Sequence, residues 1–180
     1  MKPTATARAG RSRDDRASAP RLRDRLATVL AHARDVPEPV LRDGASPAGR
    51  AYGERRDGFA IRLPGRAPGV SFARNDLSRW LRKRGFGGPE LFEIALACSE
   101  IVANAVEHPR DRRRRTIEVG AVLGERELMI VVRNIGRWSR QPQTPDRGRG
   151  LMLARRLMDD VEIDQHRDGT SVTMVRRTAG

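Results

Sequence analysis

The stretch "ALACSEIVANAVEH", residues 95–108, decides the fold of this sequence. Apolar residues recur in it at helical spacing, which predicts a helix with one buried face. Glu100 and Asn104 lie one turn apart on the opposite side, so both project in the same direction. This pair has two interpretations. It is either solvated surface or a site for a hard cation such as Mg²⁺, which takes only one or two protein oxygens and completes its shell with water and phosphate.

The rest of this helix supports the same two-faced arrangement. Pro89 suits its first turn and Pro109 stops it, so it ends at about His108. The polar side also carries Glu93 and Glu107, whereas the predicted core side carries Leu91, Ile94, Ala95, Cys98, Ile101, Val102 and Ala105. Because Cys98 is the single cysteine and lies on the core side, we expect a buried structural thiol in a reducing compartment.

The flanking segments predict an alternation of strands and helices. Before the central helix come a strand at "GFAIRLPG", residues 58–65, and a helix from Gly69 to Arg84 with Gly85 just past its end. After it come strands 116–123 and 127–134 joined by a hairpin, a Gly-rich loop over 135–150, a helix over 151–160, and strands 161–166 and 170–177 around the turn signal Asp168-Gly169. This order predicts an α+β, two-layer sandwich, with helices on one face of a mostly antiparallel sheet.

Residues 1–57 differ in composition from residues 58–177, which we predict to be the folded domain. They alternate Arg, Asp, Ala, Pro and Gly, with few apolar groupings. Such a segment lacks the apolar surface needed to offset the entropy of ordering it, so a mostly disordered tail is expected. One short helix is predicted within it, from Arg21 to Arg34.

The charge of the chain is strongly positive, but it does not identify a partner. The formal net charge is +13, and nearly all of the 36 basic residues are Arg in a chain rich in Ala and Gly. GC-rich coding produces this skew regardless of function, and aromatic residues make up only 4%, which disfavours a base-stacking surface. We therefore expect no nucleic acid partner, and nucleic acid binding through the tail and Arg112 to Arg115 is the weaker alternative. No apolar run approaches the ~18 residues of a membrane span, so a cytoplasmic protein without membrane contact is expected.

Two further signals lie after the central helix. In "DRGRGLMLARRL", residues 146–157, Gly148 and Gly150 stand at the start of a helix, where free N–H groups and the helix dipole favour an anion. In "VVRNIGRW", residues 131–138, an apolar strand ends at Asn134, and Gly136 would let the backbone approach a flat ligand closely. Each signal also has a simpler interpretation: a flexible Gly/Pro connection for the first, and a turn capped by Asn134 for the second.

The order of these signals is more specific than any one of them. Glu-x-x-x-Asn-Ala on a helix, a strand ending in an amide residue followed by x-Gly, Gly-x-Gly-Leu at a helix start and a final Gly-Thr hairpin resemble the histidine-kinase-like ATPase superfamily. Within it, the chain resembles the anti-sigma-factor serine kinases over about residues 58–177. The stretches "SEIVANAVEH", "GRGLMLARRLMDDVEI" and "DGTSVTM" carry most of this resemblance. It implies the Bergerat ATP-binding fold.

The resemblance also implies roles for individual residues. Asn104 would coordinate the Mg²⁺ that bridges the ATP phosphates, and Glu100 would be the base that helps a Ser hydroxyl attack the γ-phosphate. The remaining nucleotide-binding positions divide into a phosphate lid and a set around adenine, namely Gly148, Arg149, Gly150 and Leu151 for the lid, and Asn134, Gly136 and Thr170 for adenine. The family usually has Asp where this chain has Asn134. Exchanging a charge-assisted hydrogen bond for a neutral one predicts weaker ATP binding.

The functional expectation that follows from the resemblance has two forms. In the first, the chain is an ATP-dependent serine kinase that sequesters a sigma factor and phosphorylates an anti-anti-sigma (STAS-type) protein, with a homodimer as its expected assembly. In the second, it is a non-catalytic interaction module of the same fold that has lost or weakened ATP binding. Glu100 and Asn104 together favour the kinase, and Asn134 favours the module.

Overall fold

The computed structural model describes residues 22–34, 58–107, 116–135, 149–166 and 169–178. Its elements follow in the order α1 (Leu22–Arg34), β1 (Gly58–Pro64), α2 (Ala67–Arg82), α3 (Gly88–Glu107), β2 (Thr116–Leu123), β3 (Glu127–Ile135), α4 (Arg149–Leu157), β4 (Asp160–His166) and β5 (Gly169–Arg177). The predicted order of elements is confirmed, and so is the short helix predicted near the N-terminus. Among the described helices, none combines the length and apolar character needed to cross a bilayer.

The five strands of the described chain form one sheet in the order β1-β2-β3-β5-β4, in which every neighbouring pair is antiparallel. The predicted β2–β3 hairpin closes with a hydrogen bond from the Gly124 N–H to the Glu127 carbonyl, 2.8 Å long. Residues 167–168, which link β4 to β5 and include the predicted turn residue Asp168, lie outside the described residues. Gly169 after them has φ +153°, which favours glycine. The antiparallel sheet of the predicted α+β sandwich is therefore confirmed.

Helices α2, α3 and α4 cover one face of this sheet, as predicted. Trp80 of α2 is fully buried there, and its ring lies 5.9 Å from the Phe59 ring of β1. The same core contains buried residues from every layer, including Leu77, Leu81, Ile94, Ile101, Ile117, Leu128, Ile130 and Met174. Helices α3 and α4 pack on the same face of the sheet and contact each other, and the candidate site lies where they meet.

Two helix boundaries differ from the sequence prediction. Helix α2 begins two residues earlier than Gly69 and ends at Arg82, with Pro68 in its first turn and Gly85 beyond it at φ +88°. Helix α4 begins at Arg149 and ends at Leu157, whereas the sequence predicted residues 151–160. The Asp159 N–H donates to the Val175 carbonyl of β5 at 2.9 Å, so the chain has already left the helix and joined the sheet there.

Helix α1 lies on the opposite face of the sheet from the other three helices. Its buried residues Leu26 and Leu30 pack against apolar side chains that alternate with those of the main core, namely Ala60, Val122, Met129 and Val131. Gly120 of β2 makes room for this helix: a Cβ built there would lie 2.9 Å from Leu30 Cδ2. The absent side chain lets the helix approach the strand closely.

Replacing Leu30 with alanine is expected to destabilise the protein by about 2 kcal/mol, because a nearly buried side chain is removed and the cavity above Gly120 is only partly refilled. Urea denaturation measures this loss, with Ala27→Ser on the exposed side of the same helix as the control. An unchanged unfolding midpoint in Leu30→Ala would contradict the docking of α1 on the sheet.

Candidate functional site

Helix α3 places Glu100 and Asn104 on its polar side, as predicted. Residues Leu91, Ile94, Ala95, Cys98, Ile101 and Val102 of the opposite side are buried in or against the core. Glu100 and Asn104 are half-buried rather than fully solvated. The interpretation of the pair as plain solvated surface is therefore wrong, because another element of the fold covers it.

That covering element is the start of α4. A Cβ built on Gly150 would lie 2.8 Å from Asn104 Nδ2 and 3.0 Å from Glu100 Oε2. The absence of a side chain at Gly150 lets the first turn of α4 approach these two side chains closely, and a Cβ there would displace them. The Gly-x-Gly signal and the Glu/Asn signal thus belong to one site, although more than forty residues separate them in the sequence.

The residues at the start of α4 differ in their surroundings. Gly150 is buried against α3, Arg149 is exposed, and Leu151 is half-buried against the core. The first N–H groups of a helix have no intrahelical acceptor, so the start of α4 presents donors and the positive end of its dipole beside Glu100 and Asn104. Gly148 lies outside the described residues.

The end of β3 approaches the same helix from the sheet. Asn134 is half-buried and donates a hydrogen bond from its Nδ2 to the carbonyl oxygen of Ala105, the residue after Asn104, at 3.4 Å. Thr170 of β5 is the register partner of Asn134 and is also half-buried. The sheet therefore brings both proposed adenine-contacting residues to the C-terminal half of α3. Gly136 is outside the described residues.

A positioning residue that sequence reasoning missed is Arg176 of β5. Its guanidinium donates to the Leu157 carbonyl at the end of α4 at 2.8 Å and to Glu93 Oε2 of α3 at 2.9 Å, while its Nε lies 3.8 Å from Glu90 Oε1. These contacts join the end of α4 to the start of α3 and so fix how α4 lies along α3. The i, i+3 spacing of the two glutamates is visible in the sequence, but their shared partner is not.

The thiol of Cys98 plays no part in this site. It is completely buried on the core side of α3, and desolvation raises its pKa to about 12. A thiol held protonated at neutral pH is a poor nucleophile. The prediction of a buried cysteine is confirmed.

The side chains at the site fit a hydrated magnesium–phosphate group better than a closed metal site. Within the described ranges, no group of three or more His, Cys, Asp or Glu side chains could hold a metal ion. A single amide oxygen and a neighbouring carboxylate match an ion that keeps most of its ligands as water and phosphate. Gly150 brings the N–H groups at the start of α4 directly beside both of these side chains.

Comparisons with known proteins agree with this geometry. A family described as "Histidine kinase-like ATPase domain" matches residues 64–176. Serine-protein kinase RsbW of Bacillus cereus is 27% identical over 139 residues, covering 68% of this chain and 86% of that protein. RsbW of Bacillus thuringiensis is 26% identical with the same coverage. The solved RsbU and RsbW domains of a Mycobacterium tuberculosis protein align with a TM-score of 0.55 and 25% identity, over 71% of this chain and 33% of that one.

The matched region runs from the end of β1 almost to the end of β5 and contains Glu100, Asn104, Asn134 and Gly150. It covers well over half of the chain and all of the site just described. The family match thus confirms the superfamily that the resemblance had indicated. The chain belongs to the histidine kinase-like ATPase domain family.

Proposed function

We propose that this protein is an ATP-dependent serine kinase of the anti-sigma-factor type, which sequesters a sigma factor and phosphorylates a Ser on a STAS-type anti-anti-sigma protein. The observation that carries the proposal is the meeting of Gly150 with Glu100 and Asn104, which unites a helix start suited to phosphate with a carboxylate and an amide. The similarity to proteins named serine-protein kinase RsbW supports the same activity.

In this proposal the phosphate end of ATP lies at the start of α4. Asn104 would hold Mg²⁺, and the ion would supply neutralisation of charge on the phosphates. Gly148, Arg149 and Gly150 supply backbone N–H groups and one guanidinium toward the phosphates, and the half-buried Leu151 anchors that turn to the core. Asn134, Gly136 and Thr170 receive the adenine.

Glu100 then acts on the protein substrate. Its carboxylate accepts the proton of the Ser hydroxyl while the Ser oxygen bonds to the γ-phosphorus and the bond to the β-phosphate oxygen breaks, which leaves ADP and a phosphoserine. A carboxylate suits this role because it takes up one proton and is already held in place by the helix. The half-buried position of Glu100 beside α4 supports an assignment next to the phosphates.

The second candidate function is a non-catalytic interaction module of the same fold. The observation that favours it is Asn134, a neutral amide where the family usually has a carboxylate for adenine. Such a module would sequester its partner equally well with and without ATP. For both candidate functions we propose a cytoplasmic location. The proposed functional domain is residues 58–177, and the proposed assembly is a homodimer.

The experiment that tests the proposal follows phosphate transfer directly. The purified protein is incubated with Mg²⁺ and γ-labelled ATP together with individual STAS-domain proteins, and the label on Ser is located by peptide mass spectrometry. In parallel, transcription by RNA polymerase with each sigma factor is measured with and without ATP. Labelled Ser on a STAS protein supports the kinase. Inhibition of a sigma factor that is independent of ATP, without label on any STAS protein, supports the module.

The Gly150→Ala variant is expected to lose at least about tenfold in ATP affinity, because its Cβ would occupy the position 2.8 Å from Asn104 Nδ2 and push that side chain from its place. Isothermal titration with Mg²⁺-ATP measures the change. Gly87→Ala is the matched control, since a Cβ there meets nothing within 4 Å and φ is not positive. Equal affinities for Gly150→Ala and Gly87→Ala would argue against phosphate binding at the α4 start.

A further inference from the structure

A cleft of about 410 Å³ lies on the face of the sheet that carries α1, opposite to the face that carries Glu100 and Asn104. Helix α1 packs mainly on β1 and β2 and only reaches the near side of β3. The cleft lies between α1 and the part of the sheet formed by β3, β5 and β4. Sites for small molecules typically have about 300–1,000 Å³, so this cleft is large enough for one.

The side of the cleft toward α1 is apolar. It is formed by Leu26, Ala27, Leu30 and Ala31 of the helix and by Met129 and Val131 of β3. Ala27 and Ala31 lie one turn apart and are exposed, so their small side chains leave the space beside the helix open. An apolar wall of this kind suits an aliphatic group of a ligand.

The polar residues of the cleft belong to one row across the sheet. The strand register aligns Arg133 of β3 with Ser171 of β5, and Ser171 with Asp164 of β4. Because neighbouring strands lie about 4.8 Å apart, the backbones at Arg133 and Asp164 are about 10 Å apart, with the Ser171 hydroxyl between them. Thr173, two residues along β5, adds a second hydroxyl to the floor. The cleft therefore has a guanidinium at one side, hydroxyls in the middle and a carboxylate at the other side.

Arg133 gives the β3 side of the cleft a positive charge. The fully buried carboxylate of Glu118 lies between two guanidinium groups, 3.9 Å from Arg62 Nε and 3.7 Å from the nearest nitrogen of Arg133. One carboxylate does not neutralise two guanidinium groups, so these three side chains carry a net charge of about +1. The distance of 3.7 Å is also longer than a hydrogen bond. The N–H groups of Arg133 that face the cleft are thus suited to a carboxylate of a ligand.

Asp164 gives the β4 side of the cleft a negative charge. It is exposed on an edge strand, and within the described ranges no hydrogen bond or ion pair engages its carboxylate. The adjacent acidic residue of the same face, Glu162, differs because it accepts a hydrogen bond from Arg23 of α1. The opposite charges of Arg133 and Asp164 complement a zwitterion, whereas a simple anion or cation meets a like charge at one end.

We propose that this cleft is a second ligand site, which binds a free α-amino acid with an aliphatic side chain. The ligand's carboxylate lies at Arg133 and Ser171, its ammonium group lies at Asp164, and its side chain packs against Leu26 and Leu30. The site is independent of the proposed kinase function, because it lies on the other face of the sheet and requires no nucleotide. A ligand that contacts both α1 and the sheet binds only the folded protein, so it raises the unfolding temperature.

Thermal unfolding and titration calorimetry of the full chain, without nucleotide, test this proposal. The probes are L-leucine, L-valine and L-methionine. The matched control ligands are 4-methylpentanoate, which is leucine without its amino group, and 3-methylbutylamine, which is leucine without its carboxylate. Leucine is expected to bind at least about tenfold more tightly than either control, because each control lacks one charge-assisted hydrogen bond.

Two variants examine the charge and the space of the cleft separately. Asp164→Asn is expected to weaken leucine binding about tenfold and to leave the binding of 4-methylpentanoate unchanged, because only leucine has an ammonium group. Asp160→Asn, on the same strand and face but outside the cleft, is the matched control and should bind leucine as the wild type does. Ala27→Leu fills the cleft without changing any charge and is expected to abolish leucine binding. Asp164 and Ala27 are both exposed, so neither change removes a core side chain.

Three results would overturn the inference. The first is no heat of binding and no shift in unfolding temperature with any of the three amino acids at millimolar concentration. The second is equal affinity for leucine and its two analogues, which would exclude recognition of a zwitterion. The third is equal leucine affinity in Asp164→Asn and Asp160→Asn, which would place the ligand elsewhere. Failure of the proposed function is recognised separately, by the absence of ATP binding, and does not affect these outcomes.

Discussion

Replacement of Asn104 with alanine is expected to abolish Mg²⁺-dependent binding of ATP. Asn104 supplies the amide oxygen proposed as the protein's ligand to the metal, and it lies directly beside the α4 start at Gly150. Loss of residues that only orient metal ligands typically costs about 10–100-fold in affinity, so loss of the ligand itself is expected to cost at least the upper figure. Titration calorimetry with ATP and Mg²⁺ measures the effect. The weak ATP affinity measured without Mg²⁺ should be the same in Asn104→Ala and in the wild type.

The control for this prediction is Asn75→Ala, which removes an exposed amide of α2 away from the site. Both variants are expected to unfold within about 1 kcal/mol of the wild type, because neither position is part of the core. Binding of Mg²⁺-ATP by Asn104→Ala with the affinity of Asn75→Ala would contradict the assignment of Asn104.

Replacement of Glu100 with glutamine is expected to lower phosphate transfer by at least about 100-fold, the usual contribution of a general base. Glutamine keeps the size of the side chain and its packing near Gly150, but its amide cannot accept the Ser proton. ATP binding should persist, because the metal is assigned to Asn104 and the phosphates to α4. Single-turnover transfer to the STAS-type partner, measured beside ATP affinity, separates the two effects.

The matched control is Glu107→Gln, which makes the same change two turns further along the polar side of α3, where the side chain is exposed. We expect the Glu107→Gln variant to transfer phosphate at the wild-type rate. The Glu100→Gln variant is expected to be far slower than both. A Glu100→Gln protein that transfers phosphate at the wild-type rate would exclude Glu100 as the base. A wild type that transfers none, and inhibits its sigma factor as well as Glu100→Gln does, would favour the interaction module.

Local patterns in the sequence were sufficient to predict the helical face and most elements of the fold. The repeat of apolar residues along α3 predicted its buried side, since burial of one face at helical period is a property of the segment alone. Strand alternation and turn residues predicted β1 to β5 within a residue or two at most ends. The nearness of Glu100, Asn104 and Gly150 was predicted only through the resemblance to a family, because spacing along a chain does not fix which helices meet.

Contacts between segments that are distant in the chain could not be predicted from the sequence patterns. The docking of α1 depends on Gly120, an isolated glycine in a strand that gives no hint of the Leu30 side chain above it. Glu118 occupies an outward position of β2 by alternation, yet it is fully buried, with guanidinium nitrogens of Arg62 and Arg133 at 3.9 and 3.7 Å. A buried carboxylate needs such partners, and they come from two neighbouring strands whose register only the folded sheet defines.

The Asn134–Ala105 contact is an intermediate case. The sequence singled out Asn134 as a departure from the family, but it did not indicate that this residue contacts α3. The contact appears only when β3 is placed against the end of α3, where the Asn134 amide meets the Ala105 carbonyl. A position that looks like a weakened adenine contact in the sequence is then also a link between strand and helix.

The measurement that most directly tests this account is calorimetric titration of the purified wild-type protein with ATP, with and without Mg²⁺. The account predicts saturable binding of ATP that is much stronger with Mg²⁺ than without it. No heat of binding and no shift in unfolding temperature at millimolar Mg²⁺-ATP would contradict it, and the fold would then serve this chain only as an interaction module.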